Sequence, residues 1–527
     1  MPALSVLPVE THPWSALLTR PDVTLDRGVL HLRHDSVTAA QAETDDLLLV
    51  ATALEQAGIE TTLIRHDGRT PAIMVDVVER DAAFDALRTL GLEEPLYLKP
   101  RRGAAVLAAE VADAPDAPSS WRVFRPRVTR RGGLRYGASV GARLEFWRFG
   151  ATVEAPLPNA LMRTVTDADD VLYSTVEKYG REWRTIDGMF DPQPDEFTEP
   201  VDIVFSWVDG SSSEFQRQRA AQMAGYVVGD GDDGPARYRQ VDELRYALRS
   251  VHMHAPWVRR IFIATDSPAP SWLLEHPKVT IVRSEEFFAD TSALPIHNSH
   301  AVEAQLHRIE GLAEHFLYSN DDMFFARPVE PELFFTSAGV TKFVECEIRI
   351  GTGGPSAERS GHDNALRVNR DLLRERFGRT IVRDLEHCAT PLRRSVMAEM
   401  EQTFAEDFAR TASSRFRSST DISVTNCLYH YYALMTGRAV VTRRPRVRYV
   451  QTTMARSLRR MEALADRRDV DMFCLNDGGL AEIPEDVRVN ALRATLERMF
   501  PVRAPWERPK LSAEQSAARS AHPSARR

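Results

Sequence analysis

Hydrophobic positions along this chain fall into short continuous runs and helical stripes. DDLLLVATALEQAGIE (45–60) and DAAFDALRTLGL (81–92) carry apolar residues at helical spacing, and TTLIRHD, AIMVDVV and LYLKP read as strands. DAPDAPSS (113–120) is rich in Pro, Asp and Ser, which marks a linker. The residues after it, from Trp121, form short alternating runs broken by Gly-Gly, as in a hairpin. FDPQPDEFTEP (190–200) is the next break. Beyond it VDIVFSWVDG (201–210) is a buried strand, VDELRYALRSVHMHAPWV (241–258) a helix, and RRIFIATD (259–266) and VTIVR (279–283) strands. That order predicts parallel βαβ units in an open, mostly parallel, Rossmann-like α/β sheet.

The stretch from His297 to Pro328 organises the rest. Its first half predicts a helix that carries His300, Glu303 and His307 at i, i+3 and i+7, on one face. Its second half is the buried run Phe316-Leu317-Tyr318, ending in Ser319-Asn320-Asp321-Asp322. A buried strand that stops in two carboxylates places acidic groups at the carboxyl edge of an α/β sheet, where ligands bind. Farther on, 351–364 reads as a Gly- and Ser-rich loop, and 391–411, 421–437 and 487–500 as helices. A strand-like run at 470–479 ends in Asn476 and Asp477. Three segments follow: an accessory α+β domain at 1–195, a catalytic domain at 196–510, and a disordered tail at 511–527 that is poor in apolar residues.

Composition narrows the class. The 527 residues are 43% hydrophobic and 27% charged, ordinary for a soluble globular protein. A formal charge of −8 argues against a nucleic-acid binder. No run approaches the length of a membrane span, and the first residues lack a signal-peptide pattern. The four cysteines, Cys346, Cys388, Cys427 and Cys474, match no zinc spacing and fit a reducing cytoplasm as packing residues.

Three groups carry candidate chemistry. Arg245 and Arg249, at i, i+4, can grip a diphosphate through forked, charge-assisted bonds, or else be neutralised by acidic neighbours on a solvated face. Asp209, Asp321 and Asp322 follow buried strands, and carboxylates at strand ends suit Mg²⁺ or Mn²⁺. His300, Glu303 and His307, with Arg308, suit acid–base work near neutral pH or a satisfied structural role. Their H-x₂-E-x₃-H spacing is neither of the usual zinc helices.

Four ordered blocks carry a resemblance. DIVFSWVDGS (202–211), DELRYALRSVHMHAPWVRRIFIATDSPAPSWL (242–273), NSHAVEAQLHRIEGLAEHFLYSNDDMFF (298–325), and CLND (474–477) with MFPVRAPWE (499–507) resemble the Stealth family of sugar-phosphate transferases. His300 stands where some members have Pro, and Ala504 replaces a usual Ser. The resemblance implies a fold like that of nucleotide-sugar transferases. It also implies a capsular or exopolysaccharide phosphotransferase that moves hexose-1-phosphate, or N-acetylhexosamine-1-phosphate, from a UDP-sugar to an acceptor hydroxyl and releases UMP. It assigns catalysis to His307, Asp322, Arg308 and Glu303, with His307 as base and Asp322 its rival. It assigns Mg²⁺ or Mn²⁺ to Asp321, Asp322, Asp209 and Asp421. Substrate contacts fall to Trp207, Asp209, Arg245, Arg249, Asp266, Asn298, His300, Asn320, His387 and Asn476, and Asp202 orders the first strand. The implied partners are the UDP-sugar and a polysaccharide or lipid-linked oligosaccharide, met in the cytoplasm at the inner face of a membrane. Peripheral membrane association and self-assembly stay open. Two alternatives compete: a metal-dependent glycosyltransferase that releases UDP, and a non-catalytic carbohydrate-binding protein.

Overall fold

The computed structural model describes residues 12–66, 70–112, 118–131, 133–210, 217, 241–477 and 482–509. The stretch GDGDDG (229–234), whose composition reads as an acidic loop, most of the 113–120 linker and the tail 511–527 lie outside the described residues. The chain divides into two compact units: Met1–Pro194 with Leu496–Val502, and Asp195–Thr495 with Arg503–Arg527.

The first unit is built on a ten-stranded mixed sheet and a separate four-stranded one. Thr62–Arg65 and Pro71–Asp76 pair antiparallel, and Pro71–Asp76 runs parallel to Ala142–Phe149. The helices Ala39–Gln56 and Arg80–Glu93 bury Leu47, Val50, Leu54, Phe84 and Leu87 with Trp121, Phe146 and Trp183. Thr38 and Gln41 close a reciprocal capping box at the start of the first helix. Asp46, fully buried on that helix, accepts from both Arg125 and Arg127. A carboxylate there is tolerated because two guanidiniums satisfy it.

The second unit holds the predicted open sheet. Its first elements are β1 (Val201–Ser206), α1 (Glu243–His254), β2 (Ile261–Ala264), β3 (Val279–Val282), α2 (Ser299–Glu303), β4 (His315–Asn320) and β5 (Met323–Phe325). There follow β6 (Glu345–Arg349), α3 (Gly361–Phe377), β7 (Arg383–Leu385), β8 (Thr390–Arg393), α4 (Arg394–Thr403), α5 (Tyr429–Met435), β9 (Val447–Gln451), α6 (Ala455–Arg467) and β10 (Met472–Asn476). The main sheet has the order β3-β2-β1-β4-β8, parallel except for β8. Val201–Phe205 are all buried, as both faces of a covered parallel sheet require. A three-stranded sheet, β5-β10-β9, extends from the carboxyl end of β4. The core joins Val204, Phe262, Phe316 and Tyr318 to Leu306, Leu392, Val396 and Tyr429.

One local expectation is corrected. The single helix expected after His297 stops at Glu303 and resumes only as a 3₁₀ turn over Leu306–Arg308. The three polar residues therefore do not line one regular face.

Burial also sets a pH limit on stability. His252 and His430 are held down to about 4, and His254 to about 3, mainly because burial penalises the imidazolium. The unfolded chain titrates near 6.5, so it binds more protons than the folded one between there and about 4. Stability is expected to be full above pH 6.5 and to fall steadily to about pH 4, by of order 2–3 kcal/mol for each histidine. Urea unfolding at a series of pH values checks this; a flat profile from pH 7 to 4.5 would contradict it.

Candidate active site

The carboxyl edge of β1 and β4 gathers acidic groups. Asp321 and Asp322 follow β4 directly, and both are half-buried. Burial, the Asp322 charge and Glu243 push the Asp321 carboxyl well above its usual range. Burial, Glu243 and Asp477 push Asp322 up to about 7, although a hydrogen bond with Cys474 partly offsets this. One oxygen of Asp322, Oδ1, is buried and has no hydrogen-bond partner among the described residues. Glu243 enters the site at the start of α1, where Asp242 takes a left-handed backbone at φ +64°. Such a turn at a non-glycine residue costs about 1 kcal/mol or more, and strain of this kind gathers at functional sites. Asp477 follows β10, whose neighbour in the sheet is β5; it also accepts from Thr452 and lies 3.7 Å from Arg488.

Asp321 and Asp322, adjacent and crowded further by Glu243, are the donor set that a hard divalent cation stabilises. Among the described residues no three His, Cys, Asp or Glu groups stand ready as a complete metal cage. Mg²⁺ does not need one: it takes one or two protein carboxylates and completes its shell with water and substrate phosphate. Asp321 and Asp322 fit that role.

A second cluster adjoins the first. His387, in the turn between β7 and β8, lies with its ring centroid 6.0 Å from that of His362 and 5.7 Å from that of Tyr449. His362 on α3 bonds Asp384 on β7, Nε2 to Oδ2, at 2.9 Å. Burial works to raise the Asp384 carboxyl, but that bond and the imidazole charge hold it below its usual range. Burial, His362 and Arg417 together lower the His387 imidazole, so it is neutral and proton-accepting near pH 7. Tyr449 links the clusters, since burial and the charges of Cys474, Asp322 and Asp384 all act on its hydroxyl. Arg417 donates to Ser299 Oγ at 3.0 Å and lies over Gly361, where a Cβ would meet its Cδ at 2.8 Å.

The other sequence-predicted residues are distributed unevenly. At the same edge, Trp207 follows β1 with its Nε1 buried and without a hydrogen-bond partner among the described residues, and the Asp209 amide donates to Ser267 Oγ at 2.8 Å. Asp266 is exposed and accepts from the Ser284 amide, while Asn320 Oδ1 accepts from Tyr318 at 2.8 Å. Asn476 closes β10. Asn298 caps α2 and donates to Asp421, which also accepts from the Ser418 amide and lies 3.8 Å from His300 Nδ1. Glu303 is committed inside the core, accepting from Thr425 at 2.7 Å and lying 3.2 Å from the Tyr318 hydroxyl.

His307 and Arg308 stand elsewhere. Both bond Glu401 on α4, at 2.9 and 2.8 Å. The His307 carbonyl accepts from Arg394, whose neighbour Arg393 pairs with His315 at the amino end of β4. Asp321 follows the opposite end of that six-residue strand, roughly 17–20 Å away at ~3.3 Å per residue. Arg245 and Arg249 both bond Glu507, and Arg249 is almost fully buried there.

Comparison with known proteins places these residues in a family. Four conserved regions of the Stealth proteins match: region 1 at 199–227, region 2 at 237–343, region 3 at 386–434 and region 4 at 462–517. The exopolysaccharide phosphotransferase CpsY of Mycobacterium tuberculosis H37Rv is 49% identical over 493 residues, 93% of this chain and 92% of that protein. The chain belongs to the Stealth family. An exopolysaccharide phosphotransferase of Nocardia farcinica is 60% identical over 385 residues, 73% of this chain and 76% of its own. The solved galactosyltransferase LgtC overlaps 60% of this chain and 99% of its own at 11% identity and a TM-score of 0.28, too loosely to carry an argument.

All four Stealth regions converge on the site. Region 1 supplies Trp207 and Asp209, region 2 Glu243 and the Asp321–Asp322 pair, region 3 His387 and Arg417, and region 4 Cys474 and Asp477. His362, Asp384 and Tyr449 lie outside the matched regions. Sequence reasoning passed over them because no local spacing joins residues 22 and 87 positions apart. Asp477 did carry a usable signal: like Asp321, it directly follows a buried strand.

Proposed function

We propose that this Stealth protein transfers hexose-1-phosphate, or N-acetylhexosamine-1-phosphate, from a UDP-sugar to a hydroxyl of a polysaccharide or lipid-linked oligosaccharide. The acceptor oxygen bonds to the β-phosphorus, the pyrophosphate P–O bond breaks, and UMP leaves. One observation carries this reading: a half-buried histidine of lowered pKa, joined through Tyr449 to a pair of carboxylates at the sheet edge that has no ion-pair partner among the described residues. Phosphoryl transfer asks for little covalent chemistry and much positioning and charge neutralisation. Asp321 and Asp322 would hold Mg²⁺ or Mn²⁺, which when bound neutralises the diphosphate. His387 accepts the acceptor's hydroxyl proton, and its lowered pKa keeps it free to do so. Asp384 steadies His362 beside it through their 2.9 Å bond. Arg417 supplies positive charge from the α3 side. The buried Nε1 of Trp207, without a partner among the described residues, can donate to an oxygen of the UDP-sugar. Asp209, Asp266, Asn320 and Asn476 line the same edge, and Asn298, His300 and Asp421 hold the loop that carries Arg417.

The test is product analysis with UDP-sugars, Mg²⁺ and oligosaccharide acceptors, separating UMP from UDP. UMP in step with a phosphodiester product supports attack on phosphorus. UDP would overturn it in favour of attack on carbon. A second experiment separates the two histidines. His387→Ala is expected to lower kcat by about 10²–10⁴-fold with the fold retained. His307→Ala is expected to cost about 0.5–1.5 kcal/mol through the lost bond to Glu401, which keeps Arg308, and to leave kcat within a few-fold. The reverse pattern would move the base to His307.

A further inference from the structure

Residues 438–468 contain ten arginines, no lysine and two acidic residues, a net of +8 in a chain whose total is −8. Much of this run falls between the third and fourth Stealth regions, over 435–461. It forms β9 and α6. Arg446 and Arg448 lie on or beside β9, which is the edge strand of its sheet, and Arg444 precedes them; all three are exposed. On α6, Arg456, Arg459 and Arg460 are exposed at i, i+3 and i+4, while Ser457, Met461 and Leu464 face inward. Among the described residues none of these six guanidiniums forms an ion pair with a carboxylate. Like charges at that helical spacing repel when nothing answers them.

The band runs into the site. Arg448 is followed by Tyr449, whose ring lies 5.7 Å from that of His387 and whose hydroxyl feels the charge of Asp322. An all-arginine surface suits phosphodiesters, because the guanidinium fork matches two phosphate oxygens. We infer that β9 and α6 bind the growing acceptor as a linear sugar-phosphate polyanion, leading its terminal hydroxyl past Tyr449 to His387. This rests on the transferase reading, under which each added unit brings one negative phosphodiester. An extended edge strand that ends in the site fits a linear chain better than the flat surface of a bilayer.

The test compares the whole protein with the triple variant Arg456→Gln, Arg459→Gln, Arg460→Gln. All three side chains are exposed, so the variant is expected to keep the fold. The probes are linear polyphosphate, neutral dextran of matched length, and phosphatidylcholine vesicles with and without phosphatidylglycerol. The variant is expected to bind polyphosphate at least tenfold more weakly. Its plot of log affinity against log salt should be shallower by about 2, near 0.7 for each of three lost charges. An unchanged slope would overturn the inference. So would a wild-type protein that binds phosphatidylglycerol vesicles but not polyphosphate, which would make the band a lipid-facing surface. Neither binding readout requires turnover. If the slope drops as expected while product analysis yields UDP, the transferase reading fails and the polyanion site stands.

Discussion

Asp322→Asn is expected to lower sugar-phosphate transfer by about 10²–10³-fold while leaving the ligand-free fold at least as stable as the original. The rate loss follows from removing a carboxylate that would help hold the cation on the diphosphate, an effect worth several kcal/mol, at 1.36 kcal/mol per tenfold in rate. The stability expectation runs the other way. Asp322 is crowded by burial and by Glu243, and its Oδ1 has no partner among the described residues. An amide there removes the repulsion but still has to satisfy buried polar atoms, so the gain is small. Mg²⁺ should raise the melting temperature of the original protein and do so much less in the variant. That readout needs no substrate. Near-normal turnover together with an unchanged response to Mg²⁺ would remove Asp322 from the site.

Glu507→Ala is expected to destabilise the protein by about 3–5 kcal/mol, the usual cost of leaving a buried charge without its partner. Glu507 accepts from Arg245 Nε at 2.7 Å and from Arg249 Nε and Nη2 at 2.7 and 2.8 Å, and it also takes the Ala504 amide. Burial works to raise its carboxyl, but the bonds and charges of the two arginines hold it low. The segment around it is pinned to the strand-2 loop by Leu274 to Trp506 and Arg508 to Trp272 backbone bonds. Urea unfolding checks the cost. A loss below 1 kcal/mol would mean that water reaches these guanidiniums and satisfies them. The donor KM of the variant then decides a further point. A KM unchanged per folded molecule marks Arg245 and Arg249 as scaffold, and a raised KM marks them as diphosphate contacts oriented by Glu507.

The candidate site was legible in proportion to how local its signals are. Asp321 and Asp322 announce themselves, because a buried run of β-type residues has to end at an edge and two carboxylates there need a reason. Asp477 carries the same signal at the end of β10. His362, Asp384 and Tyr449 carry none, since an exposed-looking tyrosine in an arginine-rich run and a histidine opening a helix are ordinary surface patterns. The helical face of His300, Glu303 and His307 illustrates the limit from the other side. Periodicity placed three polar groups in line, yet the helix breaks after Glu303 and each group finds a different partner: Asp421, Thr425 and Glu401.

By itself the sequence determined the open α/β sheet, the strand-end acids and the Stealth membership, because buried strands, turn residues and contiguous motifs are written within a few positions of one another. Only the tertiary structure decided which groups meet. The segment from Ser299 to Arg308 runs along β4 in the opposite sense, so His300 and His307, seven residues apart, are delivered towards opposite ends of that strand. His387, 65 positions beyond Asp322, is returned to its neighbourhood by the β7–β8 turn and by β9 packing beside β10. Glu507, 258 positions from Arg249, becomes its counter-ion. Chain separation carries no information about such pairings, because loop-closure cost grows only slowly with length and the burial gained on packing outweighs it.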